Sequence, residues 1–128
     1  MRENTLLGNM DYEDLSSDTG AENEETGVTD QVNTVIEEHD VVLFMKGNEL
    51  MPQCGYSRKA LGLIKQYRED VEVVDAMRAL PQYREALEAH SGWETIPQTF
   101  VDGEFVGGSD ILEELDERGE LEETLRTA

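Results

Sequence analysis

Three scarcities in this sequence of 128 residues each exclude a class of protein. It has one cysteine, Cys54, so an internal disulfide framework is excluded and a reducing cytoplasm is the expected setting. It has no apolar run near the ~20 residues that a membrane span requires. Its N-terminus lacks the basic and apolar blocks of a signal peptide. We therefore expect a protein of the cytoplasm with no membrane partner.

Basic residues are also scarce, because 10 of them stand against 30 acidic ones and give a formal net charge of −20. A negative field of this size repels nucleic acid and anionic membranes, so neither is an expected partner. The acidic, lysine-poor composition resembles that of proteins from extreme halophiles, whose carboxylates keep the surface hydrated in high salt. The alternative is a moderately acidic domain with an unusually acidic tail. The acid excess persists outside the tail, which favours the halophile.

The composition divides the chain into two parts. Residues 1–27 carry eight acidic side chains and few apolar ones, so they cannot bury enough surface to offset the entropy of ordering. We expect a disordered acidic tail there, which either solvates the protein or binds a partner. Residues 28–128 are expected to form one domain with a single core.

Hydrophobic periodicity predicts the elements of this domain. Thr29 is an expected N-cap, and the apolar run 41–45 predicts a buried strand. The predicted elements are a helix from Thr29, strand 41–45, helix 55–68, strand 71–75, helix 81–90, hairpin 98–108 turning at Asp102-Gly103, and a helix capped by Ser109 that extends through Leu125. Strands joined through a helix should be parallel and the hairpin antiparallel. The predicted fold is α/β, a small mixed four-stranded sheet with helices on both faces.

Cys54 is the candidate reactive group, because it falls between a strand and a helix. The positive end of the helix should stabilise its thiolate, and Lys46, Arg58 and Lys59 could add to this effect. Three of ten basic residues lie within eight positions of the cysteine. The alternative is a buried structural cysteine, as is common for this residue. The neighbours Pro52, Gln53 and Gly55 are poor core residues, which favours a reactive thiol.

Three other segments point to a ligand. Pro97 before a strand predicts a fixed bend that frees the Ile96 backbone to pair with an extended peptide. Gly107-Gly108 between a strand and a helix predicts close backbone approach and free N–H groups for a carboxylate, although a plain turn is the alternative. Arg84 is a cation in the helix after Pro81, where a solvated arginine is the default. Together they outline a site for a small thiol peptide with a carboxylate at each end.

The segments LFMKG, PQCGYS, TIPQ and GGSDI resemble those of the monothiol glutaredoxins in order and distance over about residues 29–125. The resemblance implies a thioredoxin-like fold with Pro97 in the cis form. It also implies that Cys54 is the reactive thiol or cluster ligand, with Gly55, Tyr56 and Pro97 beside it. The residues that it implies bind glutathione are Lys46, Arg84, Thr95, Ile96, Gly108, Ser109 and Asp110.

This sequence departs from the family pattern at four positions. Tyr56 replaces the usual phenylalanine and adds a hydroxyl group. Glu49 and Glu94 stand where prolines are usual, so they add negative charge near an anionic ligand. Ser109 occupies a position where the family often has a second cysteine, so no disulfide can form there with Cys54. The candidate ligand is therefore glutathione or another low-molecular-weight thiol such as γ-glutamylcysteine.

Two functions remain after this comparison. One is a carrier in iron–sulfur cluster biogenesis and redox homeostasis, in which two Cys54 thiolates and two small thiols hold a 2Fe–2S cluster in a homodimer and pass it to acceptor proteins. The other is an oxidoreductase, in which Cys54 attacks a mixed disulfide and a second thiol releases it. The resemblance favours the carrier. An inert thioredoxin-like adaptor is a third reading, which the intact thiol site disfavours.

Overall fold

A mixed sheet of four strands organises the chain. The computed structural model describes the backbone of residues 20–126 and the side chains of residues 27–126. Its elements are α1 Gly20–Glu38, β1 Val41–Met45, α2 Gly55–Lys65, β2 Glu72–Asp75, a 3₁₀ helix Ala76–Ala79, α3 Leu80–Ser91, β3 Gln98–Val101, β4 Glu104–Gly107, α4 Ser109–Glu117 and α5 Leu121–Leu125. The strand order is β2-β1-β3-β4. β1 and β2 are parallel, and β1–β3 and β3–β4 are antiparallel, as predicted.

The central strand β1 is buried along its whole length because helices cover both faces of the sheet. Val42 and Phe44 point to the side of α1 and α3 and pack with Phe100. Val41, Leu43 and Met45 point to the opposite side, which α2, α4 and α5 cover. A strand covered on both faces requires a continuous apolar run rather than an alternating one. The predicted buried strand and two-sided layering are therefore confirmed.

The first helix starts earlier than predicted. α1 begins at Gly20, so Thr29 lies within the helix and caps nothing. Val28 is buried in the core, and the preceding residues 20–27 include one alanine and three glutamates, which favour helix. Of the predicted tail, residues 20–27 are thus helical in their backbone, and residues 1–19 lie outside the described residues. No helix of the described chain is long and apolar enough to cross a membrane.

The last predicted helix is divided into two helices in the structure, and the predicted N-cap of the first one is wrong. α4 ends at Glu117, and Gly119 adopts a positive φ of 75° before α5 begins. This left-handed conformation suits glycine and ends the helix. The N-cap of α4 is Gly108, whose backbone is extended, and Ser109 is the first helical residue. The prediction that Ser109 caps this helix is wrong because the N-cap lies one residue earlier.

Candidate functional site

Cys54 is the N-cap of α2, the position that the sequence predicts for a reactive thiol. Its backbone is extended, with φ −152° and ψ 139°, and the side chain is partly exposed. Gly55 is the first helical residue, and the Arg58 N–H donates to the Cys54 carbonyl over 2.9 Å. The thiol thus lies at the positive end of a helix and in reach of solvent. A buried structural cysteine is excluded.

The surroundings of Cys54 favour the thiolate. Partial burial raises the pKa of the thiol, but several other effects together lower it further than burial raises it. The groups that lower the pKa are the N–H and the hydroxyl of Ser57, the N–H of Tyr56 and the charge of Lys46. The net result is a pKa below the ordinary value of a cysteine. A lowered pKa raises the fraction of thiolate, which is the nucleophile and the metal ligand.

The backbone of Lys46, directly after β1, is hydrogen-bonded to one residue before Cys54 and to one residue after it. Its N–H donates to Ser57 Oγ over 3.0 Å, and its carbonyl accepts from the Gln53 N–H over 2.9 Å. Lys59 does not serve the thiol as expected, because its Nζ lies 2.5 Å from Glu113 on α4. Of the basic residues that the sequence places near Cys54, Lys46 is therefore the one whose charge acts on the sulfur.

An apolar groove of about 630 Å³ lies next to the first turn of α2, which contributes Tyr56 to its lining. Among the residues that line it are seven of the predicted site residues, namely Tyr56, Thr95, Ile96, Pro97, Gly108, Ser109 and Asp110. Cys54 and Gly55 directly precede Tyr56 at this groove. The fold thus brings together residues that are up to 54 positions apart in the sequence. The groove is the place where a small peptide would lie beside the sulfur.

Two glycines shape the wall of the groove. A Cβ atom at Gly108 would lie 3.0 Å from the Pro97 carbonyl oxygen, and one at Gly107 would lie 2.6 Å from Ile111 Cβ. Gly107 also has a φ of 151°, which side chains rarely adopt. Neighbouring protein atoms therefore require glycine at both positions, whereas the approach of a ligand carboxylate to this backbone stays a prediction. The Ile96-Pro97 peptide bond is cis, as the resemblance implied.

Gln98 is a positioning residue that the sequence did not single out. It is buried, and its Nε2 donates to the Trp93 carbonyl over 2.8 Å and to the Thr95 carbonyl over 2.9 Å. One amide thus holds the loop that leads into the groove. Trp93, Phe105 and Ile111 also line the groove without having been predicted to do so. The position of Trp93, two residues before Thr95, was the sequence feature that could have indicated its place in the groove.

Two predicted contributors lie elsewhere. Arg84 is half-buried on α3 and is not among the residues that line the groove. The Glu49 carboxylate lies 2.5 Å from Lys65 Nζ at the end of α2, so a partner offsets its charge. Glu94 is exposed beside Thr95, and no ion pair within residues 27–126 involves it. Of the two acidic departures, only Glu94 leaves an unpaired charge next to the groove-lining loop.

Comparison with known proteins gives a consistent result. The family model for glutaredoxin matches residues 41–106. An uncharacterized monothiol glutaredoxin, ycf64-like, of Synechocystis sp. is 41% identical over 98 residues, which cover 77% of this chain and 91% of that protein. Glutaredoxin 4 of Escherichia coli is 36% identical over 97 residues, which cover 76% of this chain and 84% of that protein.

Solved structures show the same architecture. The reduced apo form of GrxS14 from poplar superposes with a TM-score of 0.67 at 38% identity, over 77% of this chain and 89% of that one. The holo form of glutaredoxin C1 from Populus tremula x tremuloides gives a TM-score of 0.67 at 27% identity, over 80% and 89% of the two chains. The four-stranded mixed sheet with helices on both faces is thus a thioredoxin-like fold.

Proposed function

Because the chain belongs to the monothiol glutaredoxin family, we propose that it carries a 2Fe–2S cluster held with a small-molecule thiol between two protomers. The observation that supports this most directly is a single, partly exposed thiol with a lowered pKa. A 2Fe–2S cluster takes four thiolates, and this chain has one cysteine to offer. Among the described side chains of residues 27–126, no group of three or more histidine, cysteine or carboxylate side chains could hold a metal ion. Two chains and two small thiols complete the set of ligands.

The groove supports the choice of a thiol peptide as co-ligand. Its lining includes Tyr56, which is two residues from Cys54, so a thiol peptide in the groove would bring a second sulfur close to the first. The N-terminus of α4 has Gly108 as its N-cap and no side chain bonded to its first N–H groups, which suits a carboxylate. Glutathione fits this description. γ-Glutamylcysteine also has two carboxylates but lacks the glycine residue of glutathione, so it is the second thiol to compare.

Oxidoreductase activity is the second candidate, because the same partly exposed thiolate is a nucleophile. The Cys54 thiolate would attack the glutathionyl sulfur of a mixed disulfide, form a new S–S bond, and release the protein thiolate. A second small thiol would then attack that bond, leave as the disulfide, and regenerate Cys54. No second cysteine of the chain can do this.

The acidic surface supports a proposed halophilic origin, and the single cysteine supports a proposed place in the cytoplasm. Residues 28–128 carry 22 acidic and 9 basic side chains, a formal charge of −13 without the N-terminal segment. Self-repulsion of this size should destabilise the fold in dilute buffer and be screened by molar salt. Thermal unfolding at low and molar salt tests this. Equal stability in both would overturn the halophilic assignment.

Anaerobic reconstitution with iron, sulfide and one thiol at a time tests the carrier function. We expect a brown dimer with one cluster per two chains, which reverts to a colourless monomer when iron is chelated. Omission of the small thiol should prevent assembly because half of the sulfur ligands are then lacking. If the wild type stays colourless with every thiol but reduces mixed disulfides quickly, the carrier function is wrong and the oxidoreductase stands.

A further inference from the structure

The carboxylate of Asp75 joins the end of β2 to the turn that follows β1. Asp75 is the last residue of β2 and lies beside Met45 in the parallel pairing of the two strands. Its Oδ1 accepts from the Gly47 N–H over 3.0 Å and from the Met77 N–H over 2.9 Å. One oxygen atom therefore binds both the turn after β1 and the start of the 3₁₀ helix. The contact with Gly47 spans 28 positions of the sequence.

Gly47 in turn is packed against the residues that lead into Cys54. It forms an antiparallel bridge with Pro52. A Cβ atom at Gly47 would lie 2.5 Å from the Met51 carbonyl oxygen and 2.5 Å from the Gln53 backbone nitrogen, and the φ of Gly47 is 95°. The two segments therefore touch through their main chains, which glycine alone permits. Because nothing separates them, the position of Gly47 determines where the backbone before Cys54 lies.

Lys46 is the side chain whose placement depends on this turn. Its charge lowers the pKa of the Cys54 thiol, and its backbone is hydrogen-bonded to Ser57 and Gln53 on the two sides of the cysteine. Within the described residues 27–126, Lys46 forms no ion pair. The nearby carboxylate of Asp75 is instead bonded to two backbone N–H groups. The lysine charge therefore remains available to the thiolate.

We propose that Asp75 is a positioning residue for the Cys54 site, because its carboxylate oxygen holds Gly47, and Gly47 holds Lys46 and the backbone before Cys54 in place. The role belongs to Oδ1 as a hydrogen-bond acceptor and not to the negative charge. A negative charge by itself would oppose the effect of Lys46 at the sulfur. Loss of the acceptor and loss of the charge therefore have opposite expected effects and can be separated.

The proposal rests on the proposed function for the use of the thiolate, but the positive charge beside the sulfur is measurable without a cluster or a disulfide substrate. Iodoacetate and iodoacetamide both alkylate Cys54, the one cysteine of the chain, and only iodoacetate is negatively charged. The ratio of their rates at one pH is independent of the fraction of thiolate, so it reports the local charge. The full-length chain is used in the lowest salt in which every variant is folded, because salt screens this charge.

Asp75→Ser and Asp75→Asn are the matched pair, because both remove the charge and both can cap the 3₁₀ helix at the Met77 N–H. The serine oxygen lies one bond closer to the backbone and does not reach Gly47, whereas asparagine keeps Oδ1. Asp75→Ser should lower the iodoacetate-to-iodoacetamide ratio by roughly two- to fivefold, as Lys46→Gln should. Asp75→Asn should keep the ratio at or above the wild-type value. Asp70→Asn removes a carboxylate before β2, at the opposite end of the strand, and as the control it should stay within about 1.5-fold.

Two further measurements distinguish positioning from a merely structural effect. The Asp75→Ser/Lys46→Gln double variant should have no lower ratio than Lys46→Gln, because both changes act through the same charge. Exchange of the Gly47 amide hydrogen, followed by NMR, should be faster in Asp75→Ser and unchanged in Asp75→Asn. Equal ratios in the matched pair, additive losses in the double variant, or unchanged exchange in Asp75→Ser would each overturn the role of Asp75.

If Asp75→Ser does not fold, Asp75→Asn decides alone. Wild-type ratio and exchange in that variant support Oδ1 as the acting group, and a lowered ratio or faster exchange contradicts it. A wild type that assembles no cluster and reduces no mixed disulfide while this pattern holds would remove the proposed function and leave the role of Asp75 standing. A wild type that assembles the cluster while the matched pair has equal ratios would do the reverse.

Discussion

The helices α2 and α4 both begin beside the groove, yet their N-termini are completed differently. At α2 the N-cap residue is Cys54, and the polar groups of Ser57 and Tyr56 in the first turn lower the pKa of its thiol. At α4 the N-cap is Gly108, which has no side chain to accept a hydrogen bond. Neither helix has the serine, threonine or carboxylate cap that would be best for stability alone. The first helix start carries a reactive anion of its own, and the second leaves its N–H groups open for the anion of a ligand.

Replacement of Cys54 by serine should have the largest effect, because it removes the reactive anion at the start of α2. The Cys54→Ser variant should lose the cluster and all mixed-disulfide reduction, because Cys54 is the only cysteine of the chain. Visible absorbance after reconstitution and a reductase assay measure the two losses. The fold should persist, because serine is a good N-cap. A variant that still assembles a coloured dimer would show that Cys54 is not the ligand.

Of the substitutions near the start of α4, one that adds a side chain at Gly107 should lower the free energy of unfolding the most. Gly107→Ala places a Cβ within 2.6 Å of Ile111 Cβ and at a φ of 151°. We expect a loss of about 2–4 kcal/mol in the free energy of unfolding from steric overlap and backbone strain, measured by denaturant titration. Gly92→Ala is the control, because Gly92 also has a positive φ but nothing lies within 4 Å of its Cβ position. It should lose only about 1 kcal/mol. Equal losses would mean that close packing at α4 is unimportant.

These two helix starts also show what the sequence could predict. The strands, their pairing and the position of Cys54 follow from apolar runs, turn residues and spacing, which are local signals. The helix boundaries at Gly20 and Gly108 do not, because the packing of Val28 in the core and the approach of Gly108 to the Pro97 carbonyl join segments that are separated in the sequence. Ile111 lines the groove and is exposed, which the sequence did not predict. The pairing of Glu49 with Lys65 was equally invisible in the linear order.

The pKa of Cys54 should respond to each group that stabilises its thiolate. Ser57→Ala removes a hydroxyl donor and Lys46→Gln removes a charge, so both should raise the pKa. In molar salt the effect of Lys46→Gln should shrink, and that of Ser57→Ala should persist because a hydrogen bond acts at short range. Rates of thiol alkylation against pH measure both shifts. A pKa that stays unchanged in Ser57→Ala would contradict the assigned hydrogen bond.

The same lowered pKa has a consequence for stability. Because the folded-state pKa lies below that of the unfolded chain, ionisation of Cys54 stabilises the fold fully above the unfolded-state pKa. This contribution is lost as the pH falls through the folded-state pKa. The difference in unfolding free energy between wild type and Cys54→Ser should therefore grow with pH over that window. A pH-independent difference would contradict the lowered pKa.

Ser109→Ala should have the smallest effect on stability. It tests whether the start of α4 is capped by a side chain or is left open for a ligand. If Ser109 were the N-cap, as its sequence position suggests, its loss would cost about 1 kcal/mol. The structure places the cap at Gly108 and shows no side-chain hydrogen bond there, so the change should stay within about 0.5 kcal/mol in denaturant titration. The Cys54 pKa should not move, because Ser109 is not among the groups that shift it. Affinity for a thiol peptide is the informative readout, because Ser109 lines the groove. Weaker peptide binding at unchanged stability would show that the start of α4 serves a ligand. A loss of stability near 1 kcal/mol would instead restore the serine as a cap and make the two helix starts alike.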